Sequence, residues 1–263
     1  MLQRAEISSA RLDATLMLEK ITSRPRSWLL AHGEEALTKA QTRDFLELIG
    51  RRAQRTPLVH LTNTREFYGL DFYIDERVLT PRMETEKMVE YTIKYAPKGS
   101  RLIDIGTGSG AIAIAIKKHR PDLKVTGTDV SAAALDVARQ NADHHRVDIA
   151  LVPSDLFEAV PSRFATVVTN LPYLRDDAEL MPEVQKEPDV ALFGGRDGLA
   201  LYRRFLQQLP AHLEPDGYLF TECDPWQHQD LIKAAITAGL KPIEKHNYFI
   251  LGFQLTRPSG ASR

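Results

Sequence analysis

Two short runs in this chain bring together residues whose types and spacing could do chemistry. The first runs DIGTGSGAIAIAI from Asp104 to Ile116. It sets Gly106, Gly108 and Gly110 at alternate positions, with Thr107 and Ser109 between them, after the stretch RLID and within an apolar stretch suited to a helix. A glycine turn of this kind leaves backbone N–H groups bare at a helix N-terminus, where a ligand can approach closely. The second run is TNLPYL, Thr169 to Leu174. It reads as a strand end that delivers the Asn170 amide, the Leu171 carbonyl, Pro172 and the Tyr173 ring to one spot. Together the runs describe a site that holds a nucleoside and presents a nitrogen to it.

The spacing narrows the choice of cofactor. Beyond Pro121, LKVTGTDVS reads as a second apolar strand ending at Asp129. An acidic residue about twenty positions after the glycines, at the end of the second strand, suits the two hydroxyls of a ribose. A nicotinamide cofactor favours Gly-x-Gly-x-x-Gly, and here Gly110 comes one residue too early. S-adenosylmethionine is therefore expected ahead of NAD. The residues expected to bind it are Gly106, Thr107, Gly108, Ser109, Gly110, Asp129, Asp155, Leu156 and Asn170. Each has a plainer role open to it: Asp129 could cap the helix that begins near Ser131, Asp155 could cap a short turn, and Asn170 could be a turn residue ahead of Pro172. Their recurrence at successive strand ends argues for a site.

Methyl transfer from a sulfonium proceeds by in-line displacement, so the acceptor nitrogen must lie close and on axis. The lone pair of an amide or exocyclic amine is delocalised into its neighbouring π system. The Asn170 oxygen and the Leu171 carbonyl could each accept one N–H of such a group. They would fix the nitrogen and stabilise the positive charge that develops on it. Tyr173 can cover a flat acceptor or face the cation. Asn170, Leu171, Pro172 and Tyr173 are thus the expected catalytic residues; no metal is called for, and no general base stands out.

The elements that must position these groups fall into two regions. Residues 1–55 read as a small helical bundle: Leu12, Leu16, Leu18 and Ile21 mark one helix, SWLLAHG another, and Phe45, Leu46, Leu48 and Ile49 a third. Thr42 begins that third helix or sits within it, and Gly33 and Gly50 punctuate the segment. The bundle serves either as a stabilising cap or as a platform for a partner. Residues 56–86 read as a β-hairpin linker, with Gly69 at the bend and Thr80 and Pro81 ahead of a helix whose first turn holds Glu84 and Glu86. Residues 87–263 alternate strand and helix, which calls for an α/β, Rossmann-like sheet wound on both sides. GYLFTEC and FILGFQLTR could pair antiparallel to close it.

Composition is compatible with this reading and excludes others. Across 263 residues the formal net charge is -1, so no global basic field draws the chain to nucleic acid, and direct nucleic-acid binding is not expected. Cys223 is the one cysteine, which rules out an intramolecular disulfide. No apolar run has signal or membrane-spanning length, so the cytoplasm is the expected location.

At the level of whole strings the chain resembles the HemK/PrmC-type release-factor glutamine methyltransferases. The resemblance is carried by RRAQRTPLVHLTNTREFYGLDFYIDERVLTPRMETE, DIGTGSGAIAIAI, TDVSAAALDVARQNA, TNLPYL and EPDVALFGGRDGLALYRRFL. It implies a class I S-adenosylmethionine-dependent methyltransferase domain, joined by a β-hairpin to an N-terminal helical domain that recognises the substrate. The reaction implied is methylation of the glutamine amide in the Gly-Gly-Gln motif of a peptide chain release factor. By the same resemblance the cofactor meets Gly106 to Gly110, Asp129 and Leu156, and the glutamine meets Asn170 through Tyr173. The chain departs from the family pattern at Leu171, where proline is usual, at Met83, also usually proline, at Leu156, often aromatic, and in TECDPWQ. Asn-Leu-Pro-Tyr also occurs in ribosomal-RNA dimethyladenosine transferases. A ribosomal-protein glutamine and an adenine amine in RNA or DNA therefore stay open as acceptors. A non-catalytic binding module predicts erosion of the glycine turn or of Asn170, and neither is eroded.

Overall fold

The computed structural model describes residues 1–243 and 248–256. Four helices open the chain: α1 (Ala10–Thr22), α2 (Arg26–Ala31), α3 (Lys39–Ala53) and α4 (Leu58–Thr62). A hairpin follows, β1 (Arg65–Phe67) and β2 (Leu70–Phe72), and then α5 (Glu86–Tyr95). The remainder runs β3 (Arg101–Ile105), α6 (Ala111–His119), β4 (Lys124–Asp129), α7 (Ala132–His145), β5 (Ala150–Pro153) and β6 (Phe164–Thr169). It continues with α8 (Asp189–Leu192), α9 (Ala200–His212), β7 (Leu213–Glu222), α10 (His228–Thr237), β8 (Leu240–Pro242) and β9 (Ile250–Leu255). Arg257, the last residue of the strand expected at FILGFQLTR, lies outside the described residues.

The seven-stranded sheet has the order β5-β4-β3-β6-β7-β9-β8. The strands from β5 to β7 are parallel, and β9 runs antiparallel to both β7 and β8. The α/β sheet wound on both sides is thus present, as is the antiparallel closing pair. Side chains alternate across it as the strand period requires. Leu102, Val168 and Phe220 enter the core beneath α5, α6 and α7, while Ile103, Val167 and Leu219 enter the core beneath α9 and α10. All six residues of β6 are buried, as the central position of that strand demands.

The N-terminal helices pack on a separate core of Leu2, Ile7, Met17, Ile49 and Leu61. The buried face of α1 and the place of Gly50 differ from the sequence expectation. In α1 the buried face is Asp13 and Met17, and Leu12 is exposed. That register is set by an ion pair: Arg52 of α3 donates to Asp13 at 2.7 Å, with both side chains nearly excluded from water. In α3 the cap is Thr38, in a capping box with Gln41, so Thr42 and Gly50 both sit inside the helix. In the hairpin, Tyr68 and Gly69 both take positive φ, the geometry of a tight two-residue turn. Phe67 and Phe72 then meet edge to face within the sheet core. Helix α4 was not anticipated within the linker.

Arg52 also reaches Glu183, 2.9 Å away in the segment after the second chemical run, and Arg55 reaches the same oxygen at 3.3 Å. The helices are thereby tied to the segment that leaves the site. Removing one member of a buried pair strands the other charge, at a cost of about 3–5 kcal/mol. Arg52→Ala should therefore lower stability by roughly 3 kcal/mol, read as a drop in the urea midpoint, whereas changing the exposed Arg43 to alanine should cost under about 0.5 kcal/mol.

Candidate active site

A cleft opens beyond the carboxyl ends of β3, β4, β5 and β6, where an open parallel sheet leaves room for ligands. About 750 Å³ of space lies between its walls, open solvent at the mouth included. Of the residues expected to hold a cofactor, Gly106, Gly108, Asp129, Asp155, Leu156 and Asn170 line it; of the expected catalytic residues, Leu171 and Pro172 do. Thr107, Ser109, Gly110 and Tyr173 stand behind the wall.

Those four have visible structural work. Thr107 donates its hydroxyl to the buried Asp104 at 2.7 Å and its N–H to the Thr128 carbonyl at 2.8 Å, joining β3 to β4. The Ser109 carbonyl accepts from Asn141, which also exchanges hydrogen bonds with the Tyr73 backbone and so ties the linker to the turn. Gly110 has φ +80°, and a Cβ there would come within 2.9 Å of Ile114 and 3.2 Å of Ala138, so glycine lets α6 pack on α7. Tyr173 donates its hydroxyl to Glu222 at 3.2 Å. Burial and the Glu222 carboxylate push the Tyr173 phenol above its ordinary range, so it acts as a donor and not as a base.

Asp129 braces the cleft and faces it. One oxygen accepts from Gly108 N–H and the other from Ser131 N–H, both at 2.9 Å, while Ser131 itself caps α7. Partial burial raises the Asp129 pKa, and the backbone donors of Ser131 and Gly108 oppose that. Each oxygen keeps acceptor capacity for a hydroxyl in the cleft. Asp104, fully buried, is pushed up to about 7 by burial, with Thr107 opposing. At the next strand end, Ser154 and not Asp155 caps the turn, accepting from Ala159 N–H and donating to the Leu156 carbonyl. Those bonds hold Leu156 at φ +52°, a conformation a leucine adopts only when its surroundings impose it. The Asp155 side chain instead pairs with Arg204 at 2.8 Å, in an exposed position. Val130, Leu156, Val190 and Leu201 give the cleft an apolar wall.

The Asn170–Tyr173 loop is held from behind by the segment that follows it. Leu174 N–H donates to the Leu192 carbonyl, and Gly194 N–H donates back to Leu174. A Cβ on Gly194 would lie 2.5 Å from the Pro172 carbonyl, and one on Gly198 would lie 2.1 Å from the Tyr173 carbonyl. These two glycines let backbone pack directly on the loop. Gln227, in a capping box with Asp224, donates to the Tyr173 carbonyl at 2.9 Å, which gives TECDPWQ a role. Leu171 is buried, 3.5 Å from where a Gly106 Cβ would be, so packing holds its backbone where a proline ring would otherwise do so. Among the described residues nothing donates to the Leu171 carbonyl.

Sequence reasoning missed Glu222 at the end of β7. It is 2 % exposed, accepts from Thr85 at 2.6 Å as well as from Tyr173, and meets the Asn170 amide. Burial raises its pKa and Glu84 adds to that, while the Thr85, Tyr173 and Asn170 donors oppose it. The signal was available: like Asp129, it is an acidic residue closing an apolar strand. The linker residues Arg77, Val78 and Leu79, which line the cleft, were also missed and carried no such signal. Cys223 is buried and its thiol is pushed up to about 12 by burial and Glu222, as suits a packed thiol.

A parallel sheet with an antiparallel closing strand, a glycine turn, a ribose-competent acid and an amide loop at one edge define a class I methyltransferase. Residues 1–62 match the family described as PrmC N-terminal domain, and residues 85–187 match Methyltransferase small domain. The release factor glutamine methyltransferase of Deinococcus radiodurans is 38% identical over 243 residues, spanning 90% of this chain and 87% of that protein. Its Escherichia coli counterpart is 36% identical over 242 residues, again 90% of this chain and 87% of that protein. The chain belongs to the release factor glutamine methyltransferase family. Solved structures share the fold at lower identity. A methyltransferase from Pyrococcus furiosus is 20% identical with a TM-score of 0.58, over 79% of this chain and 99% of that one. The T. thermophilus 16S rRNA N2 G1207 methyltransferase, solved with AdoMet and guanosine, is 19% identical with a TM-score of 0.55, over 73% of this chain and 49% of that one.

Gly194→Ala drives a methyl group against the Pro172 and Gly198 carbonyls, so the loop must shift. Turnover should fall by about 100-fold, a loss typical of misplacing a reacting group by about 1 Å. The dissociation constant for S-adenosylmethionine, measured by calorimetry, should change less than about twofold, because Gly194 stands outside the cleft wall.

Proposed function

We propose that this chain methylates the side-chain amide nitrogen of the glutamine in the Gly-Gly-Gln motif of a peptide chain release factor. The observation that carries the reading is that the Asn170 side chain and the unengaged Leu171 carbonyl share a cleft with the Gly106–Gly108 turn and Asp129, in a chain of this family. S-adenosylmethionine, when bound, supplies the electrophilic methyl group. The residues present fit it: Asp129 keeps acceptor capacity for two ribose hydroxyls, and Val130, Leu156 and Leu201 offer apolar cover for a purine. Gly108 has no atom within 4 Å of where a Cβ would project, so a ligand can lie against its backbone.

The chain's own residues then act on the acceptor. Asn170 Oδ1 and the Leu171 carbonyl accept the two amide hydrogens and orient the nitrogen. As charge develops there, the same two oxygens stabilise it without reorganising. Tyr173, held protonated and bound to Glu222, flanks the loop and fixes its end. The methylated nitrogen then gives up its extra proton to solvent. In this reading residues 1–55 recognise the release factor, residues 56–86 link and line the cleft, and residues 87–263 catalyse. The reaction would take place where translation ends, in the cytoplasm.

Purified protein, S-adenosylmethionine and an unmodified release factor should yield one added methyl on the motif glutamine, located by mass spectrometry of the peptide. Asn170→Ala should lower turnover by about 10³-fold with cofactor affinity nearly unchanged, as expected for losing one charge-stabilising acceptor. Asp129→Ala should instead weaken cofactor binding by about 1.5–3 kcal/mol. Methyl found on a ribosomal-protein glutamine or an adenine, with the motif glutamine bare, would overturn the assignment of substrate. Wild-type turnover in Asn170→Ala would overturn the assignment of the site.

A further inference from the structure

Asn170 can serve the reaction in only one of its two amide orientations. Its oxygen must face the cleft to accept an N–H; turned over, its NH2 group would face another NH2 group and repel it. Something behind the residue must select the productive orientation. The sheet register shows what lies there: Thr169 pairs with Thr221, so the next residues along, Asn170 and Glu222, are lateral neighbours on adjacent parallel strands. Such strands lie about 4.8 Å apart, close enough for the two side chains to meet directly.

Glu222 is itself pinned. Thr85 donates to one carboxylate oxygen at 2.6 Å, Tyr173 donates to the other at 3.2 Å, and Tyr202 donates to the Glu222 backbone carbonyl. Tyr202 is fully buried, so that end of β7 has little freedom. With both carboxyl oxygens accepting from these hydroxyls, Glu222 presents acceptors and no donor to Asn170. The group of Asn170 that meets it must therefore be the NH2, which leaves Oδ1 directed away from Glu222 and into the cleft. We infer that Glu222 is a positioning residue that sets the amide orientation of Asn170, so that Oδ1 faces the substrate nitrogen. The inference rests on the methyl-acceptor role given to Asn170 above. The same geometry explains why a carboxylate is kept buried beside the site without touching the reactants. A hydroxyl at that position could donate as well as accept, and would leave the two orientations of Asn170 unresolved.

The test is a polarity swap. Glu222→Gln offers Asn170 a donor as well as an acceptor, so kcat on the release factor should drop about tenfold or more, while KM and cofactor affinity stay within about twofold. In Asn170→Asp two carboxyl groups face each other, and turnover should fall further. Combining the two substitutions restores complementarity, because the introduced glutamine NH2 can donate to the introduced aspartate and leave its other oxygen facing the cleft. The double variant should outpace Asn170→Asp alone by about fivefold or more. A kcat within twofold of wild type for Glu222→Gln, or single losses that simply multiply in the double variant, would overturn the inference.

Two further readouts keep it open to refutation. The Asn170 side-chain NH2, identified in a 15N spectrum by comparison with Asn170→Ala, should exchange slowly and should shift in Glu222→Gln. An unmoved signal overturns the inference even if the release factor proves not to be the substrate, a failure that would show separately as no methyl transfer by the wild type. If Glu222→Gln does not fold, Thr85→Val removes the donor that pins the carboxylate and should lower kcat in the same sense, with KM unchanged. Wild-type kcat in that variant would also count against it.

Discussion

Four adjacent parallel strands stop at one level, and the candidate site hangs from that edge. Thr128 of β4 pairs with Ile105 of β3, Ile105 with Thr169 of β6, and Thr169 with Thr221 of β7. One residue further, the row reads Asp129, Gly106, Asn170 and Glu222. It sets a carboxylate facing the cleft, a bare backbone turn, an amide and a buried carboxylate side by side at strand spacing. Two bonds lock the row: the Thr107 N–H to the Thr128 carbonyl, and the Thr169 hydroxyl to the Ile105 carbonyl. A shift of one residue in any strand would turn its end residue to the opposite face and take it out of the cleft.

The rest of the chain stiffens this edge. The segment from Glu187 to Leu199 packs against the back of the Asn170–Tyr173 loop, with glycines where carbonyls come too close for any side chain. Its first residue, Glu187, is buried and accepts from Arg82 of the linker at 2.5 Å. A few residues earlier, Glu183 is held by Arg52 and Arg55 from α3. The linker, the N-terminal helices and the Asn170–Tyr173 loop are therefore braced through one short stretch of chain. The leucine at position 171, where the family usually has proline, fits this picture: burial against the glycine turn supplies rigidity that a ring would have supplied covalently.

Much of the edge was legible in the sequence, because strand ends announce themselves. Apolar, β-branched runs closed by glycine, aspartate or asparagine located β3, β4 and β6 and the residues that follow them. Where the sequence misled, a partner remote in the chain had decided the outcome. Asp13 is buried in α1 because Arg52, 39 positions on, neutralises it, and periodicity of apolar residues cannot show that. Thr107, Ser109 and Gly110 belong to the glycine motif yet brace it from behind: the first two alternate with the cleft-lining glycines, and Gly110 lies at the contact of α6 with α7. Glu222 carried the same signal as Asp129, an acid closing an apolar strand, but had no glycine turn before it; the register with β6 gives it meaning. β8 is three residues long and pairs with β9 alone among the strands, too short for any period to show.

The most direct test of the account is a crystal structure of the protein with S-adenosylhomocysteine and a Gly-Gly-Gln peptide bound together. The glutamine amide nitrogen should lie about 3 Å from both Asn170 Oδ1 and the Leu171 carbonyl oxygen, with the ribose hydroxyls on Asp129. A glutamine amide directed away from Asn170, or a ribose seated away from Asp129, would contradict it.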